Sequence, residues 1–179
     1  ADANEVSACW IEIIKNAKPV GLALSRQNLP VIDRKKFKGT DNVKNGAYVL
    51  AYGDESSPDK CDVILIATGS EVHLALSARE HLLAIGIKAR VVSAPCLEWF
   101  TQQPVAYQEL VLPKNIKARV SIEAGIAQSW YQFIGDSGVP VSLEHFGASA
   151  SASVLFKEFG FTVENVVKAA KESITKAHG

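Results

Sequence analysis

The sequence predicts an α/β fold, a parallel or mostly parallel sheet covered by helices on both faces. Three observations carry the prediction. From Cys61 onward, short apolar runs alternate with longer segments of helical periodicity, the order that builds strand–helix–strand units. "CDVILIA" is an uninterrupted apolar run of strand length, as a strand buried on both faces requires. The segment after it opens with Thr68 and Glu71 at capping-box spacing and closes at Gly86, start and stop signals of a helix.

Taken in order, "ADANEVSACWIEIIKNAKP" predicts a helix: Asp2 is placed to cap it, Glu5 sits three residues on, and Val6, Cys9, Ile13 and Ala17 recur at helical spacing. Pro19 ends it. "VGLALS" predicts a short strand, apolar on both faces. That helix and strand are too little to fold alone. "VIDRKKFKGTDNVKNGAYVLAYGDESSPDK" is rich in charge, Gly, Asn and Asp, so it reads as a crossing linker and the entry to a new domain, with one short strand at Tyr48 to Tyr52. After "CDVILIA" and its helix, "KARVVSAP" is a strand and "CLEWFTQQPVAYQELVLP" supplies short helical turns. "ARVSIEAG" is a third strand, leading into "IAQSWYQFIGDSG", and "VPVSLEHFGASAS" is a fourth. Two helices close the chain, "SVLFKEFG" and "TVENVVKAAKESITKAHG", the second with Val163, Val166, Val167, Ala170 and Ile174 on one face.

Composition removes several function classes. Lys plus Arg and Asp plus Glu number 19 each in 179 residues, so no basic excess drives binding to nucleic acid or to an acidic membrane. The run "RKKFK" accordingly reads as a solvated linker. The longest apolar run, Val63 to Ala67, is far short of the roughly 20 residues of a membrane span. With no charged-then-apolar leader either, a cytoplasmic protein is expected. Cys9, Cys61 and Cys96 are odd in number and far apart, which predicts three reduced thiols and neither a disulfide framework nor a metal motif.

Chemistry-bearing side chains collect at predicted strand ends, where ligands bind in open α/β sheets. Thr68, Gly69 and Ser70 stand at a helix N-terminus that favours anions, although capping alone explains them. Glu123 and Glu144 end two strands and suggest an acid/base pair, against which stands a plain structural role. His145 beside Glu144 suggests an activating dyad, but no G-x-S-x-G elbow presents a nucleophile. His73 and His81, eight residues apart on one helix, are too distant to share a metal. Arg26 differs: it directly follows a predicted buried strand, and Gln27 and Asn28 add further donors. Its guanidinium suits bidentate phosphate binding, or equally an ion pair at a domain interface.

"ADANE", then "ALSRQNLP", "GAYVLA", "DVILIATGSEVHLAL", "VVSAPCLEWF", "SIEAG" and "LEHFGASA", in that order along almost the whole chain, resemble the C-terminal end of the transketolase family. Members transfer a two-carbon ketol unit from a ketose phosphate to an aldose phosphate in the pentose phosphate pathway. They work as homodimers with thiamine diphosphate and Mg²⁺. The resemblance implies a three-layer α/β/α sandwich whose mixed, mostly parallel sheet has one antiparallel strand, for which Tyr48 to Tyr52 is the candidate. Residues 1–40 would be the last helix, strand and linker of the pyrimidine-binding domain, a remnant of a second α/β domain. Residues 41–179 would be the C-terminal domain, stabilising the dimer. By the same resemblance Arg26 binds the phosphate of the sugar substrate, with Ser25, Gln27 and Asn28 shaping its loop, and no residue of this chain is catalytic, cofactor-binding or metal-binding. The segment alone is then expected to be inactive. Glu144 and His145 stand where many relatives carry other polar residues. The alternative is a non-catalytic regulatory module that binds an anion at the Thr68–Glu71 helix N-terminus.

Overall fold

A computed structural model describes residues 1–179. Helix α1 spans Ala3–Asn16; the Asp2 carboxylate accepts the Glu5 N–H at 2.9 Å and starts it. It stops at Ala17, which turns left-handed at φ 49° and donates its N–H to the Ile13 carbonyl.

The strand expected at "VGLALS" does not form. Residues 18–32 hold no helix or strand and make no backbone-to-backbone hydrogen bond. A strand exists only where a neighbour pairs with it, and within this chain no strand lies alongside. Val20 and Leu24 are correspondingly 42% and 61% exposed. The apolar pattern reports a tendency to be covered, and here nothing covers it.

A 3₁₀ turn at Val43–Asn45 leads to Gly46. Its φ is 82°, and a Cβ there would sit 2.2 Å from the Cys96 carbonyl oxygen. Only glycine fits this close approach. Five strands follow: β1 (Tyr48–Ala51), β2 (Val63–Ala67), β3 (Ala89–Ser93), β4 (Arg119–Ile122) and β5 (Val139–Val141). They lie in the order β1-β3-β2-β4-β5. β1 runs antiparallel to β3, and every other pairing is parallel. The reason is connectivity. Residues 52–62 contain no helix to carry the chain back along the sheet, so β2 begins at the end where β1 stops. Pattern alone suggests a parallel or mostly parallel sheet; the mixed sheet with one antiparallel strand, implied by the family resemblance, is the one found. β5 is shorter than "VPVSLEHFGASAS" suggests, and as an edge strand it tolerates Pro140.

All five residues of β2 are buried, and their alternation builds two cores. Val63, Leu65 and Ala67 face α2 (Glu71–Ala84) and α7 (Val163–His178), meeting Val72, Ala75, Leu82, Val166 and Ala170. Ile64 and Ile66 face the opposite layer, made by α3 (Leu97–Thr101), α4 (Val105–Val111), a 3₁₀ turn at Ala127–Trp130 and α5 (Tyr131–Ile134), through Phe100, Val111, Trp130 and Phe133. α6 (Ala152–Glu158) precedes α7. Each fully buried Val, Leu, Ile or Phe contributes about 1.5 to 3 kcal/mol of transfer free energy. The result is the three-layer α/β/α sandwich, with the carboxyl ends of β2, β3 and β4 aligned at one edge, beside α1 and the segment that follows it.

Candidate functional site

Arg26 sits in a bend at Ser25–Arg26, closed by the Ser25 hydroxyl donating to the Gln27 carbonyl at 3.1 Å. Its side chain is exposed and no carboxylate lies within ion-pair distance. Beside the bend, a cavity of about 460 Å³ opens between α1, the loop residues Ser25, Gln27 and Asn28, and Thr68–Ser70 at the carboxyl end of β2. A second cleft of about 570 Å³ meets it at Thr68 and Pro95 and is lined further by Cys96, Glu98, Glu123 and Trp130.

Below the loop lies a buried polar network that pattern reading does not anticipate. The Asp2 carboxylate, besides capping α1, accepts the Ile32 N–H at 2.9 Å through Oδ2 and Arg34 Nη2 at 2.9 Å through Oδ1. Glu5 Oε1 accepts the Tyr48 hydroxyl at 3.0 Å and the Ser93 hydroxyl at 2.5 Å, and its Oε2 meets the Ala1 nitrogen. Arg34 Nη1 reaches the Lys38 carbonyl and the Tyr48 hydroxyl. Asp2 and Glu5 are each 2% exposed. Burial works to raise the Asp2 pKa, but the amides of Glu5 and Ile32, with Arg34, outweigh it and hold the carboxyl below its ordinary value. Burial, reinforced by the Glu5 charge, pushes the Tyr48 phenol well above the usual range. "RKKFK" is thus only partly a solvated linker: Lys35 and Lys36 are exposed, whereas Arg34 turns inward.

The capping box expected at Thr68 and Glu71 is not made. Ser70 occupies the N-cap position without a side-chain cap bond. Glu71 instead bends back, Oε2 accepting the Ser70 hydroxyl at 3.0 Å and Oε1 the Ala124 N–H at 3.3 Å. A carboxylate of the chain itself thus stands at the helix N-terminus proposed for an anion, and like charge repels one. Burial pushes the Glu71 carboxyl above its ordinary 4.5, and Glu123 adds to this. A raised carboxyl pKa favours the fold below the unfolded value, and that contribution is lost as pH rises through the folded value. Glu71→Gln in the full-length polypeptide is therefore expected to unfold later than wild type at neutral pH and together with it near pH 4. Parallel stability–pH curves for the two proteins would refute this.

The remaining candidates hold structure together. Glu123 accepts Trp130 Nε1 at 2.6 Å, and Glu144 accepts the Ala127 N–H at 2.9 Å, so each carboxylate has a separate donor. The Ser142 hydroxyl and that amide keep Glu144 below its ordinary pKa. His145 packs edge-on against Phe159 with ring centroids 4.9 Å apart, its Nδ1 on the Phe146 carbonyl. His73 Nε2 meets the Ala1 carbonyl oxygen at 3.1 Å, while His81 is exposed. All three cysteines are free, and burial raises the Cys9 thiol to about 11.

A family model for the transketolase-like TK C-terminal domain matches residues 46–162. The chain belongs to the transketolase family. It is 49% identical over 175 residues to the transketolase of Mycobacterium leprae, an alignment covering 96% of this chain and 25% of that protein. The structure superposes on a transketolase from Leishmania mexicana with a TM-score of 0.86 at 35% identity, over 100% of this chain and 25% of that one. A Pichia stipitis transketolase, solved in complex with sedoheptulose 7-phosphate, matches with a TM-score of 0.84 at 35% identity, over 98% of this chain and 24% of that one. The chain thus spans about a quarter of the length of the relatives it matches.

The family model covers β1 through β5 and ends just before α7, so Asp2, Glu5 and Arg26 lie before the residues it matches, whereas Tyr48 and Ser93, which bond Glu5, lie within them. No three His, Cys, Asp or Glu side chains are grouped to hold a metal ion. The donor set here does not fit a Mg²⁺ site. No helix is long and apolar enough to cross a membrane.

Proposed function

We propose that this chain is the C-terminal part of a transketolase, and that its contribution to catalysis is to hold the phosphate of the sugar substrate through Arg26. The observation that carries the reading is Arg26 itself: exposed, committed to no carboxylate within this chain, and set in a bend whose neighbours Ser25, Gln27 and Asn28 line an open cavity that Arg26 itself does not line. A guanidinium in that state offers two parallel charge-assisted hydrogen bonds to a phosphate. The sugar phosphate bound by the Pichia stipitis relative supplies the substrate class. In this reading residues 1–40 end a pyrimidine-binding domain and residues 41–179 form the C-terminal domain, which stabilises a cytoplasmic homodimer. Thiamine diphosphate and Mg²⁺ are held by other parts of the enzyme, so this segment alone is inactive.

Arg26 works at a distance from the reacting carbon. Binding energy from the remote phosphate orients the sugar and is spent at the carbonyl end. No Lys or Arg side chain lines either cavity, and Glu98 and Glu123 line the second.

The test is a coupled assay on the full-length polypeptide containing this chain, with xylulose 5-phosphate and ribose 5-phosphate. The expected result is glyceraldehyde 3-phosphate formed only when thiamine diphosphate and Mg²⁺ are added. No turnover with both present removes the transketolase reading and leaves a domain kept for binding.

A further inference from the structure

We propose that Phe146 is a docking anchor that, in the full-length enzyme, seats with Ile126 against the preceding part of the same polypeptide, the rest of the pyrimidine-binding domain. This rests on the reading of the chain as the C-terminal part of a transketolase. Phe146 is 98% exposed, the highest value among the large apolar side chains. Apolar residues scattered singly over a surface need no explanation. Phe146 differs in being held rigidly outward, and in standing at the edge where further chain arrives.

The segment from Ser142 to Ser151 has no helix or strand, yet its backbone is pinned around Phe146. The Leu143 N–H donates to the Gly125 carbonyl at 2.9 Å, and Glu144 Oε1 accepts the Ala127 N–H at 2.9 Å. His145 packs edge-on against Phe159, and its Nδ1 donates to the Phe146 carbonyl at 2.7 Å. The Phe146 ring therefore keeps only its own side-chain torsions to lose when a surface covers it, which lowers the entropic cost of docking. The same bonds bring Ile126, itself 55% exposed, beside the segment, because its two neighbours in sequence are the residues bonded to Leu143 and Glu144. Aromatic side chains are enriched at the centres of interfaces, where water is excluded.

Position selects the occupant. Gly125 and Leu143 follow β4 and β5 at the carboxyl edge of the sheet, and β2 ends at the same edge because the three strands run parallel. The Ala1 carbonyl meets His73 Nε2 at 3.1 Å in the first turn of α2, just beyond β2, so chain preceding Ala1 arrives at that edge. Contact from that side already extends toward the anchor. Leu29 and Pro30, within residues 1–40, line a cavity with Ser153 and Phe156 of α6, the helix that follows the Phe146 segment. The chain spans about a quarter of its relatives' length, so the preceding part is large enough to supply the opposing surface. Phe146 continues the contact between the two domains, and its exposure ends where they join.

Hydroxyl-radical footprinting of the unmodified full-length holoenzyme tests this, with the oxidation rate of each side chain read by mass spectrometry. Phe146 is expected to oxidise at least about 10-fold more slowly than in the urea-unfolded polypeptide, as a ring at a desolvated interface centre does. Photo-crosslinking through a p-benzoylphenylalanine placed at position 146 names the occupant. The expected product runs at the mass of one polypeptide and joins position 146 to a residue that precedes Ala1. Phe146→Ser should raise the oxidation rate of Ile126 by roughly 3-fold or more, since the contact opens locally without its anchor.

A Phe146 that oxidises as fast as it does in urea overturns the docking. A crosslinked product at twice the polypeptide mass assigns the surface to the partner subunit and overturns the occupant. Unchanged protection of Ile126 in Phe146→Ser contradicts the anchoring role. The coupled assay separates these failures from that of the transketolase reading. An exposed Phe146 in an enzyme that turns over removes the docking alone, and an exposed Phe146 in a polypeptide without turnover removes both.

Discussion

Glu5→Ala in the full-length polypeptide is expected to cost about 2 to 5 kcal/mol of stability, the range for removing one partner from a buried, charged hydrogen-bond network. Glu5 Oε1 is the acceptor for both the Tyr48 and Ser93 hydroxyls, which are 1% and 0% exposed as residues. Without it, neither buried O–H has an acceptor, although Arg34 Nη1 still donates to the Tyr48 oxygen. The cost falls where α1 meets β1 and β3, because Tyr48 opens one strand and Ser93 closes the other. Glu5→Gln keeps an oxygen for both hydroxyls and should lose less than half as much. The check is the urea midpoint at unchanged slope. A loss under about 0.5 kcal/mol for Glu5→Ala would mean that the network contributes nothing net, as exposed ion pairs often do.

The sheet and its two helical layers were legible because their signals are local and repeated. "CDVILIA" becomes β2, buried at all five positions, and Val166 and Ala170 of the last helix lie in the core as their spacing predicts. The Asp2 cap is also local, and it forms. What the pattern could not supply was partnership. "VGLALS" has the composition of a strand but no neighbour within this chain, so it stays unpaired here. Glu5 and Glu71 each stand at capping-box spacing, yet both carboxylates turn to donors from distant residues, Tyr48 and Ser93 for one and Ala124 for the other. Arg34 sits in a basic run that reads as solvated, and its buried partner lies 32 positions away. The one available hint was an acidic pair, Asp2 and Glu5, among small and apolar residues. Arg26 was legible as a candidate from its place after an apolar run, although the strand that made the argument attractive is absent. The bend closed by Ser25 and Gln27 leaves it exposed instead.

Arg26→Ala is expected to raise KM for phosphorylated substrates roughly 10- to 100-fold, the equivalent of losing charge-assisted hydrogen bonds of about 1.5 to 3 kcal/mol. Stability should barely change, because Arg26 makes no ion pair and is exposed. Arg26→Lys should fall between wild type and alanine. A lysine retains the charge but offers a single point in place of the two-pronged fork.

The measurement that bears most directly on this account is a paired one: KM for ribose 5-phosphate and for ribose, in the wild-type and Arg26→Ala full-length enzymes with both cofactors supplied. If Arg26 holds the phosphate, the substitution raises the first constant at least tenfold, leaves the second where it was, and so erases most of the enzyme's preference for the phosphorylated sugar. An equal rise in both constants, or none in either, would contradict it and return Arg26 to a structural role at a domain interface.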